Sequence, residues 1–203
     1  SGLVAISVVL IVMAASYTPR SLRWQVAAGL VALMIVLVIS SPLMLQRVMK
    51  AYEEVAQHEP FDQTSLGLRM DMWRLALDQF LQNPLLGTGS GTYHQIAARH
   101  FGHCETTCTH PHQQYLFFGM EYGVAGLAAF LWLLWQLGTT ARRSVSAERT
   151  VLYATVAVIA VDSLFNVPLW YRAQSYFFYV MLGLLLASNL PSAWRNGRPV
   201  NDL

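Results

Sequence analysis

VAAGLVALMIVLVISSPLML, residues 26–45, carries no charged side chain at any of its 20 positions. A hydrocarbon core about 30 Å thick is crossed by about 20 helical residues, so the stretch reads as a membrane span. The pattern recurs: residues 115–137 contain one acid, Glu121, residues 151–170 contain one, Asp162, and residues 173–190 contain none. Residues 2–16 are apolar but short, with no basic flank and no small-residue cleavage site, so they read as a truncated span and not as a signal peptide. At 55% hydrophobic and 12% charged, the 203 residues do not suit an ordinary soluble domain.

The expected fold is therefore an all-α polytopic membrane protein with about five transmembrane helices. Two spans fall within residues 1–46, a long and largely helical outward loop within 47–112, three spans within 113–190, and a cytoplasmic tail within 191–203. Arg20 and Arg23, then Arg142, Arg143 and Arg149, then Arg195 and Arg198 occupy alternate connections and define the cytoplasmic side. The absence of an initiator Met and an outward first amino end suggest the carboxy-terminal part of a larger bundle. Acids slightly outnumber bases in the outer loop, which argues against a nucleic-acid or other polyanion partner.

All 6 histidines and both cysteines lie between His58 and His112, inside that loop. Cys104 and Cys108 have three residues between them, without the paired spacing of a structural zinc motif, so a loop-closing disulfide is preferred to zinc or free thiols. His58, His94, His100 and His103 read as surface or packing residues. His112 differs because a hydrophobic run follows it, with Leu116, Gly119 and Gly123 on helical steps below. A partly desolvated imidazole there stays neutral near pH 7, as a general base requires. The alternative is an interfacial histidine that only caps the span. His110, across Pro111, is placed to orient the base or bind substrate.

Upstream, Leu66, Met70, Trp73, Leu77 and Phe80 recur at helical spacing and predict an amphipathic helix over residues 65–82, with Asp71, Arg74 and Asp78 as a solvated stripe. Arg69 projects beside Trp73, Ala76 and Phe80, and a guanidinium on that flank needs an anion or a route to water. Asn83-Pro84 ends the helix. In Gly87-Thr88-Gly89-Ser90-Gly91, alternating glycines suit a structural turn, or a turn whose Gly89 and Gly91 amides meet a diphosphate. Glu121 and Asp162 are explained by structural pairing with Arg172, and residues 168–172 read as an interfacial aromatic belt at the outer end of a span.

With these residues in view, the chain resembles the carboxy-terminal part of the O-antigen ligase and polymerase superfamily. The likeness rests on Arg69-Met-Asp-Met-Trp-Arg-Leu-Ala-Leu, on Asn83-Pro-Leu-Leu-Gly-Thr-Gly-Ser-Gly-Thr-Tyr, and on His110-Pro-His112-Gln-Gln-Tyr-Leu followed by Glu121-Tyr-Gly-Val-Ala-Gly126. It covers roughly residues 47–137 by motif and the flanks by topology. Gln113 stands where the family more often has Asn or Ser. The resemblance implies a cofactor- and metal-independent glycosyltransferase of the bacterial inner membrane, its active site facing the periplasm. The donor it implies is an undecaprenyl-diphosphate-linked glycan, and the acceptor a sugar hydroxyl of lipid A-core. It assigns general-base catalysis to His112 and charge stabilisation to Arg69, with His110, Arg74, Gly89, Gly91, Gln113 and Arg172 as substrate contacts. A protein O-oligosaccharyltransferase or an O-antigen polymerase is the rival within the superfamily. A metal-binding transporter and a purely structural membrane subunit are the rivals outside it.

Overall fold

The computed structural model of the protein describes residues 2–56, 64–102 and 108–188. His58, His103 and Cys104 lie outside them. All regular structure among the described residues is helical: α1 (Gly2–Tyr17), α2 (Arg23–Ser40), α3 (Pro42–Ala56), α4 (Ser65–Gln82), α5 (Thr92–Phe101), α6 (Gln114–Arg143), α7 (Ser146–Asp162) and α8 (Arg172–Ser188). One of them, α6, is long and apolar enough to cross a membrane.

The stretch 26–45 is not one helix. Ser41 is extended (φ −98°, ψ 108°) and Pro42 opens α3, so α2 stops at Ser40. Proline disfavours the helical region for the residue before it, and its fixed φ suits the first turn of the next helix. The residues just after the break therefore belong to a second helix.

A second break lies inside α6, at Gly123 (φ 65°, ψ −158°). α6 has 30 residues and α7 only 17, or about 45 Å against about 26 Å at 1.5 Å per residue. Yet the far end of α7 meets the very start of α6, where the Gln114 amide donates to the Ser163 carbonyl at 2.9 Å and the Tyr115 hydroxyl donates to the Ala160 carbonyl at 2.8 Å. The difference is taken up at Gly123, where the first segment of α6 turns across the end of α7. The straight remainder, residues 124–143, is about one membrane thickness long. Gly123 is thus a hinge in the helix and not one more small packing residue beneath His112.

α4 lies against the first segment of α6, with the Phe80 ring over Gly119 and the loop after α4 at Gly123. Leu75 and Ala76 of α4, Tyr93 and Ala97 of α5, Cys108, Phe117 and Met120 of α6, and Val167 form one buried cluster. Phe130, Ile159 and Phe178 form a second between α6, α7 and α8. The face of α4 differs from the expected one. Asp71 is buried at 8% exposure while Leu77 is 42% exposed, and of the expected solvated stripe Arg74 and Asp78 face outward. The buried side is Gly67, Asp71, Met72, Leu75 and Ala76, rotated from the stripe that periodicity alone selects.

Candidate active site

The hinge at Gly123 leaves two backbone groups without helical partners, the Val124 amide and the Met120 carbonyl, which a continuous helix would join. The loop after α4 satisfies both. The Pro84 carbonyl accepts from the Val124 amide at 2.7 Å, and the Thr88 amide donates to the Met120 carbonyl at 2.8 Å. The Gly89 amide donates to the Glu121 carbonyl at 2.9 Å. Close approach requires glycine on both sides: a Cβ on Gly87 (φ +69°) would sit 2.5 Å from the Glu121 carbonyl, and one on Gly123 would overlap the Leu85 carbonyl.

The Glu121 side chain completes the junction. It is 1% exposed, and its Oε1 accepts from the amides of Gly91 at 3.0 Å and Tyr93 at 3.4 Å, the open amino end of α5. The expected pairing with Arg172 is therefore not formed: Glu121 caps a helix, Asp162 accepts from Asn166 Nδ2 at 2.7 Å, and Arg172 is exposed at the start of α8. The amides of Gly89 and Gly91, expected as diphosphate contacts, are already engaged by Glu121. The glycine run thereby serves as the turn that docks α4 and α5 on α6.

α5 carries the chain to Cys108, which is disulfide-bonded and 1% exposed. The other cysteine of the expected bridge, Cys104, lies outside the described residues. His94, in the first turn of α5, holds the Cys108 carbonyl through Nδ1 at 3.0 Å. His100 is exposed with its ring edge-on to Phe101. Among the described residues no three His, Cys, Asp or Glu side chains are arranged to hold a metal ion.

Two residues after Cys108 the chain reaches the paired histidines. His110 is 3% exposed, with its ring 4.3 Å from that of His112 and 5.0 Å from that of Tyr171. Burial, then the neighbouring His112 and Arg69, push its imidazole down to about 4 despite an opposing backbone hydrogen bond. His112 is half-buried, and burial followed by the Arg69 charge lowers its pKa as well. Both shifts favour the neutral ring. His112 also stands at φ 53°, the one non-glycine residue in the left-handed region among those described. That conformation costs a non-glycine residue about 1 kcal/mol or more and persists where surrounding contacts impose it. Those contacts are visible: the His112 amide donates to His110 Nδ1 at 3.3 Å, and Gln113 begins α6 as its N-cap, its side-chain oxygen accepting from the Leu116 amide. Gln113, expected as a substrate contact, thus has its side-chain oxygen engaged as a cap. His112 Nδ1 is buried without a partner among the described residues.

Arg69, half-buried in the first turns of α4, is close enough for its charge to act on His110, His112 and Tyr171. Thr64 caps that helix by accepting from the Gly67 amide at 3.1 Å. Arg74 faces outward on another side of α4 and shares none of this cluster.

A family profile described as O-antigen ligase matches residues 1–131, from α1 through the first half of α6. The chain belongs to the O-antigen ligase family. The match covers well over half the sequence and takes in Arg69, the glycine turn, His110, His112 and Glu121. O-antigen ligase family membership makes this a glycosyltransferase-type chain of the ligase and polymerase class, associated with lipopolysaccharide biosynthesis at the bacterial inner membrane. Comparison with curated proteins gives no match.

Two parts of the site escaped the sequence reading. Tyr171, read there as part of an aromatic belt, sets its ring edge-on to that of His110, its hydroxyl pKa raised by burial against the lowering pull of Arg69. Gln114, 1% exposed, braces the start of α6 against the segment before α8 by accepting from the Leu169 amide at 3.2 Å. The only sequence signal for Gln114 was a polar residue at the first position of an apolar helix.

Proposed function

We propose that this chain belongs to a polytopic inner-membrane enzyme that transfers an O-antigen glycan from undecaprenyl diphosphate to a sugar hydroxyl of lipid A-core on the periplasmic side. The observation that carries the reading is the pairing of a neutral, conformationally constrained His112 with the Arg69 charge at the end of the membrane-capable helix.

A sugar hydroxyl is a weak nucleophile. As it attacks the anomeric carbon, its proton must leave, and the bond to the diphosphate oxygen breaks with negative charge collecting on the leaving group. His112 removes the proton. With Nδ1 buried, Nε2 is the nitrogen that takes it. Positioned acid–base groups contribute about 10²–10⁴-fold, so His112 is asked for roughly 3–5 kcal/mol of the barrier. Arg69 lies close enough for its positive charge to lower the His112 pKa, and the same charge stabilises the departing diphosphate. Two roles are thereby joined, because the cation that receives the leaving group also keeps the base unprotonated. His110 binds no substrate in this scheme; it accepts the His112 amide and holds the ring in place.

Transfer assayed with full-length protein in nanodiscs, offering lipid A-core and a pilin-type protein acceptor side by side, tests the reading. Glycan appearing on lipid A-core supports it. Glycan appearing on the protein instead assigns the same site to the O-oligosaccharyltransferase branch.

A further inference from the structure

We infer that Glu121 is a positioning residue for the histidine pair, acting at a distance through α5. This rests on the reading of His112 as the base, although the structural chain it invokes stands on its own contacts. The chain begins at the hinge in α6, where the Glu121 carbonyl receives the Gly89 amide and its carboxylate receives those of Gly91 and Tyr93. One acidic residue, 1% exposed, thus holds both the glycine turn and the amino end of α5 against α6. The Tyr93 ring, 1% exposed, packs edge-on to Phe117 at 6.2 Å and fixes the rotation of α5 about that anchor.

The next residue, His94, reaches out of the same helical turn to the Cys108 carbonyl at 3.0 Å. Cys108 in turn lies two residues before His110, whose Nδ1 receives the His112 amide. Every link from Glu121 to the strained backbone of His112 is therefore a hydrogen bond or a step of one or two residues along the chain. Without the Glu121 carboxylate, the exposed Gly91 and buried Tyr93 both lose the acceptor of their amides, and at Tyr93 the loss is costly because water cannot replace it. α5 is then free to shift, and the His94 contact shifts with it. Glu121 also has a second oxygen, Oε2, buried without a partner among the described residues. A cap needs one acceptor oxygen, so the carboxamide of Gln suffices for the positioning role.

Hydrogen–deuterium exchange of the full-length protein in nanodiscs tests this without reference to catalysis. Glu121→Ala is expected to raise the exchange rate of peptides covering residues 87–93 and 108–113 by at least about tenfold, with Glu121→Gln within about threefold of wild type. His94→Ala, at an exposed side chain, is expected to raise exchange in residues 108–113 alone. It serves as the second variant if Glu121→Ala does not fold. Unchanged exchange in residues 108–113 in Glu121→Ala, or in His94→Ala if that variant stands in, overturns the inference. So does a Glu121→Gln protein as perturbed as the Ala variant. In transfer assays Glu121→Ala should lower kcat by at least about tenfold with KM for the lipid-linked donor within about twofold, and Glu121→Gln should restore kcat. A rise in exchange alongside full activity of His112→Ala would leave the positioning chain standing and remove the general base instead.

Discussion

The backbone amide of His112 donates to Nδ1 of His110 at 3.3 Å, although the two residues are separated only by Pro111. That bond makes Nδ1 of His110 an acceptor, so the neutral ring carries its hydrogen on Nε2. It also ties the left-handed backbone of His112 to a side chain that is itself buried.

The pair should make the fold acid-sensitive. Both pKa values are depressed in the folded state, His110 to about 4 from the ordinary 6.5. Between those limits the unfolded chain binds more protons than the folded one, so this contribution to stability is complete above about pH 6.5 and is lost as pH falls toward 4. Apparent melting temperatures in detergent should drop over that window in wild type and less steeply in His110→Phe, which has no proton to take up. Parallel pH dependence in the two proteins would contradict this origin.

Arg69 should set the acid limb of the transfer rate. Its charge lowers the His112 pKa, so replacing it by Gln removes that effect and lets the base protonate at higher pH. The acid limb of the pH–rate profile is expected below pH 6.5 in wild type and displaced upward in Arg69→Gln. Transfer at the optimum should fall about 10²-fold or more through loss of leaving-group stabilisation. Arg69→Lys should keep the pH profile nearer wild type while losing part of the rate, because a point charge does not reproduce a bidentate contact. An unmoved acid limb in Arg69→Gln would separate the two groups.

The two glycines at the junction should be irreplaceable. Ala at Gly87 or Gly123 must adopt a positive φ and overlap a backbone carbonyl. About 2 kcal/mol or more of destabilisation is expected for each. Gly138, in the straight part of α6 with nothing within 4 Å of a built Cβ, should accept Ala neutrally or with a gain of about 0.5–1 kcal/mol. Thermal unfolding of the three variants provides the comparison, and equal behaviour would remove the hinge from the account of the site.

Gln114→Leu should destabilise the fold by about 1–3 kcal/mol, since it leaves the half-buried Leu169 amide without its acceptor. Gln114→Glu retains an acceptor oxygen and should be milder above neutral pH. Denaturation midpoints measured at pH 7.5 for both variants check the order.

Much of this arrangement was written locally. Leu66, Met70, Trp73 and Phe80 announce a helix over residues 65–82 by their spacing, and α4 occupies those residues. Its facing was not legible, because Asp71 is buried although the spacing of the apolar residues places it on the opposite face. The break at Ser41-Pro42 was present in the sequence but outweighed by the unbroken apolar composition around it. Arg69 stood out as a guanidinium on the flank of an apolar face, and His112 as the imidazole directly before a hydrophobic run. Tyr171 and the capping role of Glu121 depend on contacts between segments far apart in the chain, and nothing in the spacing of either residue encodes them. The glycine turn shows the same limit: its composition permits an anion site or a docking turn, and only the partners of the Gly89 and Gly91 amides separate the two.

The most direct measurement is glycan transfer by full-length His112→Ala protein in nanodiscs at pH 7.5, with folding checked by its melting temperature. General-base catalysis predicts a folded protein whose kcat is lower by at least about 10²-fold. Transfer at the wild-type rate by that folded variant would contradict it.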